Sequence, residues 1–174
     1  MWPWLDSGKA RGIQRSNAQQ EEKNAPMAAT LQEILLPPDI RQDVIADCNA
    51  LIKQQVSDMS GISGAAVKLA FRTANSFAPG HVTHMIDTLL PKMAEQLQPY
   101  WADFLTSGGS EFGDYLAKRG PEVADALLSV TDARAAASNR PMIYKAYNTV
   151  RGGAAKHVQA ALPSVGDLVH KYAY

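Results

Sequence analysis

Residues 39–59, DIRQDVIADCNALIKQQVSDM, decide the fold. Ile40, Val44, Ile45, Cys48, Leu51, Ile52, Val56 and Met59 recur there at spacings of three and four, the period of one helical face. The stripe is broad, so a long helix that touches two neighbours is expected, opened by Asp39. Its end is expected near Gly61 and Gly64, where a carboxyl-terminal cap can take a positive φ without a Cβ clash.

The same reading extends outward in both directions. Upstream, Thr30 followed by Glu33 forms a capping box, so a short helix starts near Leu31 and ends at Pro37-Pro38. Downstream, Ala65 to about Phe77 reads as a third helix burying Leu69, Ala70, Phe71 and Ala74. A fourth runs from about His81 to Leu90 with Val82, Met85, Ile86 and Leu89 inward. Pro91 and Pro99 interrupt an apolar stripe that continues through Met93, Leu97, Trp101, Phe104 and Leu105, and are expected to start new helices or bend one. Ser110 is expected to cap a helix that Gly120 stops, and Pro121 to open the next, with Val123, Leu127, Leu128 and Val130 inside. Three short helices then follow: Pro141 to Arg151, Ala154 to Leu162, and Val165 to Tyr172 behind a Ser164 cap.

No segment alternates with a period of two, and Val, Ile and Thr are scattered, so strands are not expected. The predicted fold is all-α: residues 27–174 form a single compact domain of about seven to nine mostly short helices in orthogonal or bundle-like packing. Residues 1–26 lack either period and are rich in polar and charged residues, which reads as a disordered tail. Glu21-Glu22-Lys23 requires purine-rich codons where a bacterial ribosome-binding site for Met27 would lie, so Met27 is expected to be the natural start. The other reading of the tail makes Trp2 and Trp4 an aromatic anchor.

A chain of 174 residues, 46% hydrophobic and 20% charged, has the make-up of one globular domain. Its net charge of zero excludes a whole-molecule field that recruits polyanions, which argues against nucleic acid as a partner. One cysteine excludes an internal disulfide and a paired-thiolate zinc site, and fits a reducing compartment. With no long apolar span and no signal-peptide core, the expected location is the cytosol.

His81, His84 and Asp87 follow a three-residue spacing that could place an imidazole-carboxylate ligand set along one side of a helix. They fall opposite Val82, Ile86 and Leu89, so a solvated face is the expected outcome. Cys48 lies within the apolar stripe, where burial raises a thiol pKa, the reverse of what a nucleophile needs. The chain carries no Gly-x-Ser-x-Gly, no phosphate-cradling glycine loop and no His-Glu-x-x-His, so neither catalysis nor a cofactor is indicated. Charge is more informative. Thirteen acids against eight bases lie between Met27 and Asn139, whereas the last 35 residues hold Arg140, Lys145, Arg151, Lys156 and Lys171 against Asp167 alone. Two outcomes are open: the basic end docks on the acidic helices, or it faces an anionic partner such as a lipid surface. Internal docking is the expected one.

Several short motifs occur in a fixed order: Gly64-Ala-Ala-Val-Lys68, Leu97-Gln-Pro-Tyr-Trp101, Ser107-Gly-Gly109, Val123-Ala-Asp-Ala-Leu-Leu128, Val130-Thr-Asp-Ala-Arg134 and Lys156-His-Val158 to Ala161-Leu-Pro163. Together they resemble a family of uncharacterised, small, all-helical actinobacterial proteins, a domain of unknown function, from about Met27 to the carboxyl terminus. The resemblance implies a cytosolic bacterial protein and brings no functional residues with it. The leading expectation is therefore a non-catalytic helical protein that works by association with a protein partner or with itself. The alternative is an apolar-ligand, lipid or anionic-membrane-surface binder, and third comes a metal-dependent enzyme using His81, His84 and Asp87.

Overall fold

The computed structural model describes residues 28–174, in which seven helices and no strands occur. They are α1 (Leu31–Leu35), α2 (Arg41–Asp58), α3 (Gly61–Phe77), α4 (His81–Ser107), α5 (Phe112–Lys118), α6 (Gly120–Ala136) and α7 (Pro141–Ala173). The expected tail over 1–26, with its start-site and tryptophan-anchor readings, lies outside the described residues.

The first helix starts as its sequence dictates. Thr30 Oγ1 accepts from the Glu33 amide at 3.3 Å, and the Glu33 carboxylate accepts from the Thr30 amide at 2.8 Å. This helix lies on α4, where the Leu31 amide donates to Gln98 Oε1 at 2.7 Å and Trp101 Nε1 donates to the Ala29 carbonyl at 3.1 Å. The second helix opens at Arg41 rather than Asp39, with Ile40 as its first cap and no side-chain cap bond. Val44 and Ile45 are its buried residues, and Ile40, Cys48 and Ile52 pack at the core's edge.

Six expectations are corrected, some in part. Gly61 and Gly64 do not cap α2; Gly61, at φ +76°, opens α3, and Gly64 lies inside it against the Met59 backbone. Of the two outcomes expected at Pro91 and Pro99, the start of new helices does not occur, because α4 runs through both for 27 residues, about 40 Å. Ile86, Leu90, Ala94, Leu97, Trp101 and Phe104 keep one phase across the two prolines. Each buried large apolar side chain contributes roughly 1.5–3 kcal/mol, so that stripe outweighs the roughly 3 kcal/mol per interior proline. The three short carboxyl-terminal helices are a single α7 of 33 residues that passes through Gly152, Gly153 and Pro163. Ser164 is not a cap there; its hydroxyl accepts from Gln55 Nε2 at 3.5 Å and joins α7 to α2. Ser110 does not cap α5 either, since Glu111 holds that position, and the buried Gly120 begins α6 instead of ending α5.

Two features hold the core. Trp101, Phe104, Phe112 and Tyr115 form an aromatic cluster between α4 and α5, with the Trp101–Phe112 centroids 5.0 Å apart and Phe104–Phe112 5.2 Å apart. Beside it α5 and α7 cross backbone to backbone at Gly113 and Gly166. A Cβ on Gly166 would lie 2.1 Å from the Gly113 nitrogen, and one on Gly113 would lie 2.5 Å from the Pro163 carbonyl oxygen. Leu162 and Val169, one turn to either side, are buried at this crossing.

Candidate functional site

His81, His84 and Asp87 occupy the first two turns of α4, and the helix does not bring them together as ligands. Asp87 Oδ1 accepts from Arg41 Nε at 2.8 Å, and Arg41 also reaches the Asp87 carbonyl at 3.0 Å, while both imidazoles are exposed. Among the described residues no group of three His, Cys, Asp or Glu side chains is placed to hold a metal ion. Cys48 is half-buried, and burial first, with the neighbouring Asp47 carboxylate second, pushes its thiol up to about 11.

Ser63 Oγ and His157 Nε2 lie 3.3 Å apart beside a cavity of about 240 Å³. A serine nucleophile needs a histidine whose other ring nitrogen is held by a third group. Asp58, the carboxylate lining this cavity, instead accepts two bonds from Gln54 Nε2, at 2.8 and 3.0 Å. The Ser63–His157 bond therefore ties α3 to α7. At the same seam the bare Gly153 admits Ser63, to whose Cβ a Gly153 Cβ would approach within 3.0 Å. Sequence reading could not pair residues 94 positions apart.

The basic end divides in two. Arg151 makes a two-pronged contact with Asp132 of α6, Nε to Oδ1 at 2.7 Å and a terminal nitrogen to Oδ2 at 3.0 Å, and Tyr147 donates to the same carboxylate at 2.5 Å. Lys171 and Tyr172 grip Asp47 of α2 at 2.5 and 2.6 Å. Tyr115 and Arg119 hold Asp103 in the same manner, and burial pushes the Tyr115 phenol up to about 12. Tyr115-x-x-x-Arg119 and Tyr147-x-x-x-Arg151 have the same spacing, the second pair on one face of α7 and the first reaching from α5 to the cap residue that follows it, and each pair closes on one aspartate. This spacing was readable in the sequence, although the acceptor was not. Arg140, Lys145 and Lys156, by contrast, are exposed and form no salt bridge among the described residues.

The clamps carry a pH dependence. Hydrogen bonds from Arg151 to Asp132 and from Lys171 to Asp47, each followed by the adjoining tyrosine, hold both carboxyls below their ordinary range. A folded-state value below the unfolded one contributes stability above the ordinary carboxylate pKa, near 4, and this contribution is lost as pH falls through the folded value. The melting temperature is expected to drop between about pH 5 and about pH 3 and to drop less in the Asp47→Asn, Asp132→Asn double variant. An unchanged pH slope in that variant would show that the clamps do not couple to folding.

The least expected feature is α3. Leu69, expected inside, is 67% exposed, and Ile62 is 93% exposed. On the inner face Val67, Phe71 and Ala74 are half-buried, and Gly64 is the buried residue of the helix. Apolar residues lie on both faces of this helix, so periodicity alone could not choose which face would be covered. A second exposed apolar cluster, Met142, Ile143 and Tyr144, occupies the first turn of α7. These surfaces and the free cations are the candidate sites of the molecule.

Among the described residues no helix is long and apolar enough to cross a membrane. A family model described as "Family of unknown function (DUF6918)" matches residues 31–173. No curated protein and no solved structure matches the chain.

Proposed function

The chain belongs to this family of unknown function, DUF6918, and we propose that it is a non-catalytic association module that docks a protein partner through the outer face of α3. The observation that carries this reading is the exposure of Ile62 and Leu69, two turns apart on one side of α3. Scattered single apolar side chains on a surface are ordinary, whereas a helix presenting large apolar residues in register is the arrangement used in helix-to-helix docking. The helix contains Lys68 and Arg72 and no acidic residue. The complementary partner presents an apolar helix face or groove flanked by carboxylates. The single half-buried cysteine supports a reducing compartment as the setting for this partnership.

The test compares wild type with the Ile62→Asp, Leu69→Asp double variant. Both sites are solvent-exposed, so the melting temperature should hold while affinity for a partner purified from the source cells falls by about two orders of magnitude. Native mass spectrometry of the pure protein shows whether a second copy is that partner. If every interacting protein binds wild type and variant equally, this reading is wrong.

A further inference from the structure

We propose that the tip of the α6–α7 hairpin docks reversibly on an anionic bilayer surface. In this contact Met142 and Ile143 enter the interface, while Arg134, Arg140 and Lys145 meet lipid phosphates. The tip is independent of the α3 face proposed above.

The hairpin is antiparallel, pinned where Tyr147 and Arg151 close on Asp132 and where Tyr147 shares a 2.8 Å hydrogen bond with Thr131. From that clamp outward to the turn, Ala135 is the buried residue of the two helices. Beyond the clamp every residue from Ala133 to Ala146 other than Ala135 and Ser138 is exposed, and the first turn of α7 there is Pro141, Met142, Ile143 and Tyr144. Met142 is 80% exposed, and Ile143 and Tyr144 are each exposed by nearly half. Three large apolar side chains exposed in one turn form a patch whose transfer from water to a less polar phase is favourable.

Charge selects the phase. From Ala133 to Gly166 the chain contains no Asp or Glu, and Asp132, at the inner limit, is already taken by Arg151. Arg134, Arg140 and Lys145 are exposed around the apolar turn and form no salt bridge among the described residues. The complementary surface must be anionic, and it must also reward burial of a thioether and a branched aliphatic chain. Nucleic acid satisfies only the first demand, because its phosphates attract the cations but offer Met142 and Ile143 no apolar phase. A bilayer containing anionic lipid satisfies both, with phosphates at the level of the basic side chains and acyl chains just beneath. Tyr144 suits the boundary between them, having an apolar ring and a polar end. The concavity behind the turn, lined by Ala136, Ser138, Asn139, Pro141 and Tyr144, is shallow and open, so the tip is shaped to enter a surface more than to receive a side chain.

The test uses the full chain and vesicles of phosphatidylcholine alone or mixed equally with phosphatidylglycerol. Co-sedimentation is expected with the mixed vesicles at about 50 mM salt and should weaken strongly by about 300 mM, as screening shortens the reach of the field. Phosphatidylcholine alone should not bind. Arg140→Glu with Lys145→Glu is expected to lower binding by about ten-fold or more, and Met142→Ser with Ile143→Ser by about five-fold. Lys118→Glu, an exposed cation away from the tip, should change it little. Melting temperatures of all variants should match wild type, because every substituted side chain is exposed. A polarity-sensitive dye on Ile143→Cys should shift to the blue on binding; Cys48, half-buried and high in pKa, labels slowly beside it. Absence of binding to the mixed vesicles overturns the proposal. So does binding that Lys118→Glu weakens as much as the tip charges do, or binding that survives the Met142, Ile143 change and is competed equally by single-stranded RNA, which identifies a general polyanion contact.

Discussion

Gly166→Ala is expected to unfold the protein or to remove at least about 3 kcal/mol of its stability, the upper end of what overpacking costs. A Cβ at this position would sit 2.1 Å from the Gly113 nitrogen and 2.2 Å from its Cα. Those are backbone atoms in a helix, so no rotamer change can make room. Relief requires α5 to move off α7, which exposes Leu116 and Leu162, both fully buried, and opens the aromatic cluster around Phe112. Alanine at Gly152 is the matched control. It adds the same methyl group to the same helix, yet nothing lies within 4 Å of that Cβ. Because alanine is the better helix former, Gly152→Ala should raise stability by about 0.5–1 kcal/mol. Urea unfolding of both variants reads the contrast, and a similar small effect at both positions would mean that the helices do not cross at Gly113 and Gly166.

That crossing also marks where sequence reading stops. Local chemistry was legible: the Thr30–Glu33 box, the helix following Pro121 and the absence of strands among the described residues all depend on neighbours in the chain. Helix ends were expected at Leu90 and near Pro163 because the local cost of a proline is visible in the sequence, while the tertiary burial that offsets it is not. In α4 the clue was present, since Leu90, Ala94, Leu97, Trp101 and Phe104 keep one phase across Pro91 and Pro99. In α7 the breaks were expected at Gly152-Gly153 and at Pro163-Ser164, but the helix is continuous, and Gly153 and Gly166 each serve a close approach to a distant segment, Ser63 and Gly113 respectively. The basic end was legible as charge. Which cations are neutralised was not, because Asp47 lies 124 residues from Lys171 and only the fold brings them together. Arg140 and Lys145 are left free beyond the Tyr147–Arg151 clamp, where the exposed apolar turn also lies, while Lys156 is free between the two clamps.

Phe112→Ala is expected to cost about 3–5 kcal/mol, the range for deleting a fully buried phenyl ring together with the cavity left behind. Phe112 has no exposed surface, and its ring meets Trp101 edge-on at 5.0 Å and Phe104 at 5.2 Å, so α5 loses its aromatic contacts with α4 at once. The site is poorly placed to collapse, since Gly113, its neighbour in the chain, is already pressed against α7 and α5 cannot advance into the void. Leu69→Ala provides the opposite limit. It removes an apolar side chain of comparable hydrophobicity from a helix, but that side chain is 67% exposed, and the change should alter stability by less than about 0.5 kcal/mol. Chemical denaturation of the two variants measures the difference directly. A large cost at Leu69 would mean that the outer face of α3 is covered within the folded chain, and the docking surface assigned to it would then be part of the core. A negligible cost there, beside a large one at Phe112, leaves α3 with an apolar face that contributes nothing to folding and is available for a partner.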